Sequence, residues 1–172
     1  MKNLLFIFLI LTLVSCSKAP TTPNNPVCQD TFKDKLVFVP AYQPQDVPLK
    51  FENNLSIDPI VVSNSVKYWE HFAGKPLFSE SASSQWKVQF KIDSTIPYVA
   101  TTIPDQTKKI CMISFQRKEF EVTSVLIHEL GHCLGLGHSA QTSACGCVMS
   151  GALKTGENPD CDFSPLIKFL NG

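Results

Sequence analysis

The spacing of apolar residues predicts a helix in the first half of the chain. In residues 58–74, DPIVVSNSVKYWEHFAG, apolar side chains recur at three- and four-residue steps, as on one face of a helix. The positions on that face are Val62, Val66, Trp69 and Phe72 or Ala73. Asp58 is placed to cap this helix, Pro59 suits its first turn and Gly74 suits its end. We expect the apolar face to lie on a sheet and the neighbouring His71 to be a partly buried structural residue.

Four further segments have the composition of strands. WKVQFKI, residues 86–92, alternates apolar and polar side chains, which is typical of a half-buried strand. YVATTIP, residues 98–104, and KICMISF, residues 109–115, are β-prone runs joined by a turn-like DQTK, so they predict a hairpin. KLVFVP, residues 35–40, predicts the first strand, and a loop containing two prolines follows it.

Helices are also predicted near the end of the chain. EVTSVLIHELGHCL should begin near residues 121–123 and stop at Gly135, which can adopt the positive φ that ends a helix. A short closing helix is predicted in DCDFSPLIKFLNG, with Asp162 or Ser164 as its cap and Pro165 in its first turn. The predicted fold class is therefore α/β, with a small twisted mixed sheet of about four or five strands and helices packed on it.

The first sixteen residues have the pattern of an export signal. Lys2 precedes an apolar run that is too short to span a bilayer comfortably. The run ends in LVSC, which resembles the lipobox of bacterial lipoproteins, whose cysteine is lipidated and becomes the mature N-terminus. We therefore expect a lipoprotein signal peptide at residues 1–15 and a lipidated Cys16. The alternatives are an ordinary cleaved signal and an uncleaved anchor.

The remaining chain is interpreted as a tether followed by one domain. Residues 16–34 contain SKAPTTPNNP, a proline-rich polar stretch typical of an extended linker, and residues 35–172 form the domain. The 172-residue chain has 15 basic and 15 acidic residues, so it presents no net field for nucleic acid. With 44% hydrophobic and 17% charged residues, the composition is that of a globular protein, and we expect a monomer.

Six cysteines remain once Cys16 is set aside. They are Cys28, Cys111, Cys133, Cys145, Cys147 and Cys161. An even number in an exported domain indicates disulfides, but six cysteines allow fifteen pairings and the sequence does not choose among them. Cys145 and Cys147 are not expected to pair with each other, because one intervening residue would strain the bridge.

The segment HELGHCLGLGH contains three of the four histidines of the chain. His128 and His132 are four residues apart, so a helix places both on one face and directs them at a common point. Gly135 allows a sharp turn that can bring His138 to the same point as a third ligand. Catalytic zinc takes three protein ligands and leaves the fourth position to water. Glu129 is placed to take a proton from that water and is the candidate general base.

The same residues resemble the zinc signature of the metzincin metallopeptidases, H-E-x-x-H-x-x-G-x-x-H. That clan has a methionine turn beneath the metal, and Met149, eleven residues after His138, is the expected equivalent. Ser139 directly after the third histidine is similar to the matrixin branch, as in a small bacterial matrixin-type lipoprotein. Outside the motif, residues 65–78 look like the matrixin first helix, and YVATTI looks like the edge strand that lies along bound peptide.

The resemblance implies a zinc endopeptidase that hydrolyses polypeptides without a covalent intermediate. Substrate would bind extended along the edge strand by strand addition. The residues of that edge are Val99, Ala100, Thr101, Thr102 and Ile103. The expected location is extracytoplasmic, with the protein anchored to a bacterial membrane, outer membrane or cell surface, through its N-terminal lipid. The alternative is a catalytically inactive, zinc-stabilised surface lipoprotein that binds a peptide or protein partner.

Two questions about metals stay open at this point. Cys133 lies between zinc ligands, but on a helix it is rotated by about 100° from His132, so we expect a disulfide or a buried thiol rather than a ligand. One catalytic Zn²⁺ is expected. A second, structural zinc held by other cysteines, or a structural Ca²⁺, is left open by the sequence.

Overall fold

A five-stranded mixed sheet is central to the computed structural model, which describes residues 34–120, 122–138, 147–149 and 161–172. The strands in these ranges are β1 (Asp34–Lys35), β2 (Leu49–Phe51), β3 (Phe78–Ser79), β4 (Lys87–Ile92), β5 (Ala100–Asp105), β6 (Ile110–Phe115) and β7 (Cys161–Asp162). The main sheet has the order β3-β2-β4-β6-β5, while β1 and β7 form a separate parallel pair. In the main sheet only β5 is antiparallel to its neighbour, which makes it the antiparallel edge.

The predicted hairpin and the α/β class are confirmed. β5 pairs with β6 over six residue pairs, from Ala100 with Phe115 to Asp105 with Ile110. β4 pairs with β6 in parallel along its whole length. The predicted strand at residues 86–92 is the central strand of the sheet, although its last residue, Ile92, is 44% exposed and does not continue the buried face.

All three predicted helices are present as α1 (Pro59–Ala73), α2 (Thr123–Cys133) and α3 (Ser164–Asn171). The carboxylate of Asp58 accepts a hydrogen bond from the backbone N–H of Ile60 at 2.8 Å, and Gly74 ends α1 with φ 67°. For α3, the N-cap residue is Phe163, without a side-chain cap, so the prediction of Asp162 or Ser164 as the cap is wrong; the Asp162 carboxylate, one residue before the cap, accepts a hydrogen bond from the backbone N–H of Ser164 at 2.9 Å.

Helix α1 packs mainly against α2. Ser65 and Trp69, one turn apart, are both fully buried at this contact. The Trp69 indole donates a hydrogen bond to the carbonyl of Ile127 at 2.8 Å, and its ring packs edge-on against Phe163 at a centroid distance of 5.0 Å. These contacts fix the position of α2 with respect to the rest of the domain.

The prediction of a first strand at residues 35–40 is wrong for the main sheet. Only Asp34–Lys35 forms a strand there, and Phe38 makes an isolated antiparallel bridge to Leu136. The first strand of the main sheet is instead β2, in the stretch expected to be a loop. β2 has only three residues, directly after a proline, which is too few to show an alternation of apolar and polar side chains. It is a strand because it pairs with β3 on one side and β4 on the other.

The remaining expectations for the fold concern the burial of His71 and the N-terminal apolar segment. His71 is exposed on α1, so the prediction of a partly buried residue is wrong. No helix within the described ranges is long and apolar enough to cross a membrane. The predicted signal peptide, Cys16 and most of the tether lie outside the described residues.

Candidate active site

Helix α2 and the turn after it bring three histidines together. His128 and His132 lie one turn apart on α2. Gly135 then adopts φ 92°, a conformation that residues with a side chain rarely take, and its backbone N–H donates to the carbonyl of His132 at 2.9 Å. The chain reverses at this glycine, and His138 returns to the two helical histidines.

The three imidazoles fit a zinc ion. The Nε2 atom of His128 lies 3.0 Å from that of His132, and the Nε2 atom of His138 lies 3.2 Å from both. Tetrahedral zinc with Zn–N bonds of about 2.0–2.1 Å separates its ligand nitrogens by about 3.3 Å. In the described part of the chain, this is the one group of three or more His, Cys, Asp or Glu side chains placed to hold a metal ion.

The hydrogen bonds of two rings determine which nitrogen carries the proton. His128 Nδ1 lies 2.7 Å from the carbonyl oxygen of Val148, and His132 Nδ1 lies 2.7 Å from that of Leu136. A carbonyl can only accept, so each Nδ1 donates and each neutral ring directs the lone pair of Nε2 at the shared point. Burial lowers the pKa of His128 to about 4 and also lowers the pKa of His132, which favours these neutral rings.

The segment before the sheet supports the loop that carries His138. Val39 donates its backbone N–H to the carbonyl of Gly135 at 2.8 Å, and Gly137 donates to the carbonyl of Val37 at 2.7 Å. A side chain at Gly135 would place its Cβ 2.7 Å from Pro40 Cα, so only glycine allows this close approach. Residues 37–39, which we name the loop clamp, thus hold the turn between the second and third histidines.

Glu129 lies beside the histidine cluster and is 4% exposed. Burial raises the pKa of its carboxyl to about 7, and a hydrogen bond from the Thr102 hydroxyl acts in the opposite direction. Thr102 Oγ1 is 2.5 Å from Glu129 Oε2. A carboxyl group that titrates near neutral pH can both accept and return a proton under ordinary conditions.

Met149 is fully buried directly beneath the helix that carries the histidines. A Cβ on Gly131 would collide with the Met149 side chain and would lie 2.7 Å from Trp69 Cζ2. The absence of a side chain at Gly131 therefore lets Met149 and Trp69 pack against α2. Since the carbonyl of the preceding Val148 accepts the His128 hydrogen bond, this turn also fixes the orientation of a histidine ring.

A cleft with a volume of about 950 Å³ runs past these groups. Most of the expected edge strand, residues 99–102, lies along one wall, and the three histidines and Glu129 lie at the base. Val37 and Val39 of the loop clamp line the cleft as well. Ile103 is not among the lining residues and its side chain is 62% exposed.

A family model for the matrixins matches residues 35–162, which is more than half of the 172-residue chain and includes the whole histidine cluster. The chain belongs to the matrixin family. Matrixins are metallopeptidases that act on proteins or peptides, and the three histidines are consistent with their zinc site. No curated protein matches this matrixin closely enough to count as a relative.

A disulfide joins the active-site helix of this matrixin to its sheet. Cys133, the last residue of α2, is bonded to Cys111 in β6. The expectation that Cys133 is not a metal ligand is confirmed. Cys147 is disulfide-bonded too. The other cysteines lie outside the residues whose side chains are described, so separate partners for Cys145 and Cys147 stay a prediction.

Three features of the site have no clear signal in the sequence. The sequence places Thr102 on the substrate edge but does not indicate its contact with Glu129, which is 27 positions away. Gly131 occupies a variable position of the motif, and only its packing reveals why glycine is needed. The β-prone composition of the loop clamp predicts an ordinary strand, and its actual partner, the turn at residues 135–137, is not predictable from spacing.

Proposed function

We propose that this matrixin is a zinc-dependent endopeptidase in which Glu129 is the general base. The observation that carries the proposal is the convergence of three imidazole Nε2 atoms beside a buried carboxyl group in an open cleft. His128, His132 and His138 would hold the zinc ion, which supplies Lewis-acid activation of water and of the scissile carbonyl when bound.

The carboxyl group of Glu129 would move the proton. As carboxylate it accepts the proton of the attacking water, and as carboxylic acid it donates this proton to the leaving amine. Water is thus added across one peptide bond, giving a new carboxyl terminus and a new amino terminus, with no covalent link to the enzyme. The raised pKa of Glu129, about 7, supports this role because both protonation states are accessible near neutral pH.

Substrate would bind as an extended strand next to β5. This strand pairs with β6 on one side, and residues 99–102 line the cleft on the other. An added strand satisfies the free backbone groups of such an edge, so recognition would depend on peptide backbone more than on side chains. The apolar side chains of Val37, Val39 and Val99 in the cleft favour peptides with apolar residues near the cut.

The test of catalysis is a cleavage assay on a mixed peptide library, with products identified by mass spectrometry. Glu129→Gln keeps the size of the side chain but removes the base, so we expect kcat to fall by about 10²–10⁴-fold. The matched control is Glu80→Gln, because Glu80 is exposed and outside the cleft. Cleavage at the wild-type rate by Glu129→Gln would contradict the assignment of the base.

The test of the metal site is zinc stoichiometry and affinity. His138→Ala should bind zinc much more weakly than wild type, while His71→Ala, the same change at an exposed histidine, should bind it normally. Full affinity in His138→Ala would contradict the third ligand. A zinc-loaded wild type that leaves every peptide intact would instead favour the non-catalytic binding module.

We further propose an extracytoplasmic, lipid-anchored monomer that is attached to the membrane through Cys16. The support is the lipobox-like LVSC after a short apolar run. In a bacterial host supplied with a labelled fatty acid, the wild type and Ser17→Ala should incorporate the label, whereas Cys16→Ala should not. Equal labelling of Cys16→Ala and Ser17→Ala would contradict lipidation at Cys16.

A further inference from the structure

Thr102 connects the edge strand to the buried carboxyl group of the site. Its Oγ1 lies 2.5 Å from Glu129 Oε2 and 3.3 Å from the backbone carbonyl oxygen of Glu129. A hydroxyl group has one proton to donate, and the carboxylate oxygen is the closer acceptor. Among the described residues, Thr102 is the side chain that hydrogen-bonds this carboxyl group.

The backbone of Thr102 is itself held in place. Thr102 pairs with Ile113 in the antiparallel register of β5 and β6, and Ile113 is fully buried in the sheet. The side chain is half-buried and β-branched, which restricts its χ1 rotation. The hydroxyl donor is therefore presented to Glu129 from a rigid element.

A proton acceptor works only when it lies within hydrogen-bond reach of the proton and has the correct orientation. A glutamate side chain has three rotatable bonds, so a buried carboxylate beside an open cleft needs a partner to keep one orientation. A donor at Oε2 fixes the plane of the group and leaves Oε1 for the reacting water or amine.

We propose that Thr102 is a positioning residue that orients the Glu129 carboxylate for proton transfer. This inference rests on the proposed peptidase function, in which Glu129 is the base. It gives the edge strand a second role beside substrate pairing, because the strand that would bind the peptide also sets the direction of the base. Docking of a peptide and placement of the base are thereby linked through one residue.

The test compares two variants in the full-length, zinc-loaded chain. Thr102→Val removes the hydroxyl but keeps the shape, and we expect kcat to fall by about 10- to 100-fold, the range found when a supporting hydrogen bond of an active site is lost. KM and zinc stoichiometry should stay at the wild-type values. Thr102→Ser keeps the hydroxyl and should recover most of the lost kcat. Thr107→Val, the same change at an exposed turn residue, is the control.

Several outcomes would overturn the proposal. One is a kcat of Thr102→Val within twofold of the wild-type value. Another is an equal loss of kcat in Thr102→Val and Thr102→Ser, which would mean that the residue acts through packing rather than through a hydrogen bond. A third is a lower zinc content of Thr102→Val that accounts for its loss of activity, which would mean that the residue supports metal binding instead.

A double-mutant cycle measures the contact without any catalysis. Thr102→Val should lower the thermal unfolding midpoint in the wild-type background and have a clearly smaller effect in a Glu129→Ala background. Equal shifts in both backgrounds would mean that the two side chains do not interact, which overturns the proposal. If the wild type cleaves no peptide, the proposed function fails, and the cycle still decides whether Thr102 holds the Glu129 carboxylate.

Discussion

The buried carboxyl group of Glu129 makes the stability of the metal-free protein depend on pH. Burial raises its pKa from an ordinary value of 4.5 to about 7. Between these values the unfolded chain releases a proton that the folded chain keeps, so wild-type stability falls as pH rises from 4.5 to 7. Glu129→Gln has no proton to release at this position, so its free energy of unfolding does not show this decrease. The variant should therefore be the more stable protein at alkaline pH.

The magnitude follows from the size of the pKa shift. The pKa rises by about 2.5, and at about 1.4 kcal/mol per pH unit this corresponds to about 3–4 kcal/mol. The difference in the free energy of unfolding between Glu129→Gln and wild type should be near zero below pH 4.5, grow through pH 7 and then level off. Because both proteins share every other titrating group, the difference isolates this one.

The assay is urea unfolding of both proteins in a strong chelator at a series of pH values from about 4 to 8. A constant difference across this range would refute the reasoning, since it would mean that Glu129 is ionised in the folded protein with an ordinary pKa. A difference that grows toward low pH would also refute it, because it would mean that the folded protein stabilises the carboxylate.

Two further predictions concern how α2 is held. Gly131→Ala should lower the free energy of unfolding by about 1–3 kcal/mol, because the new methyl group overlaps the Met149 side chain and the rigid ring of Trp69; a variant with an unchanged urea midpoint would contradict this packing. Replacing both Cys111 and Cys133 by alanine opens a crosslink between positions 22 apart and should cost about 3 kcal/mol in the same measurement. A reduced wild type that is as stable as the oxidised protein would contradict this second prediction.

The parts of the fold that sequence predicts well are those set by neighbours along the chain. Asp58 and Gly74 mark the ends of α1 because capping and positive φ are local requirements. The four-residue spacing of His128 and His132 fixes their relative direction on any helix. The predicted hairpin follows from two β-prone runs with a short turn between them.

The parts that sequence does not predict depend on contacts between distant positions. β2 is a strand because parallel partners lie on both sides of it, and neither partner is adjacent in sequence. The pairing of Cys111 with Cys133 is one of many that spacing allows, and the fold selects it by placing the end of α2 over β6. The contact of Thr102 with Glu129 likewise exists only after the hairpin and helix have packed.

The loop clamp has a consequence for where the functional unit of this protein begins. The sheet starts at β2, so a shortened protein that begins at residue 41 would contain every strand of the main sheet and all three histidines. It would lack the backbone partners that Val37 and Val39 provide to Gly137 and Gly135. A proteolytic cut at residues 36–40, or a pull transmitted along the chain from its N-terminal side, would thus act on the loop that carries His138 before it reached the main sheet.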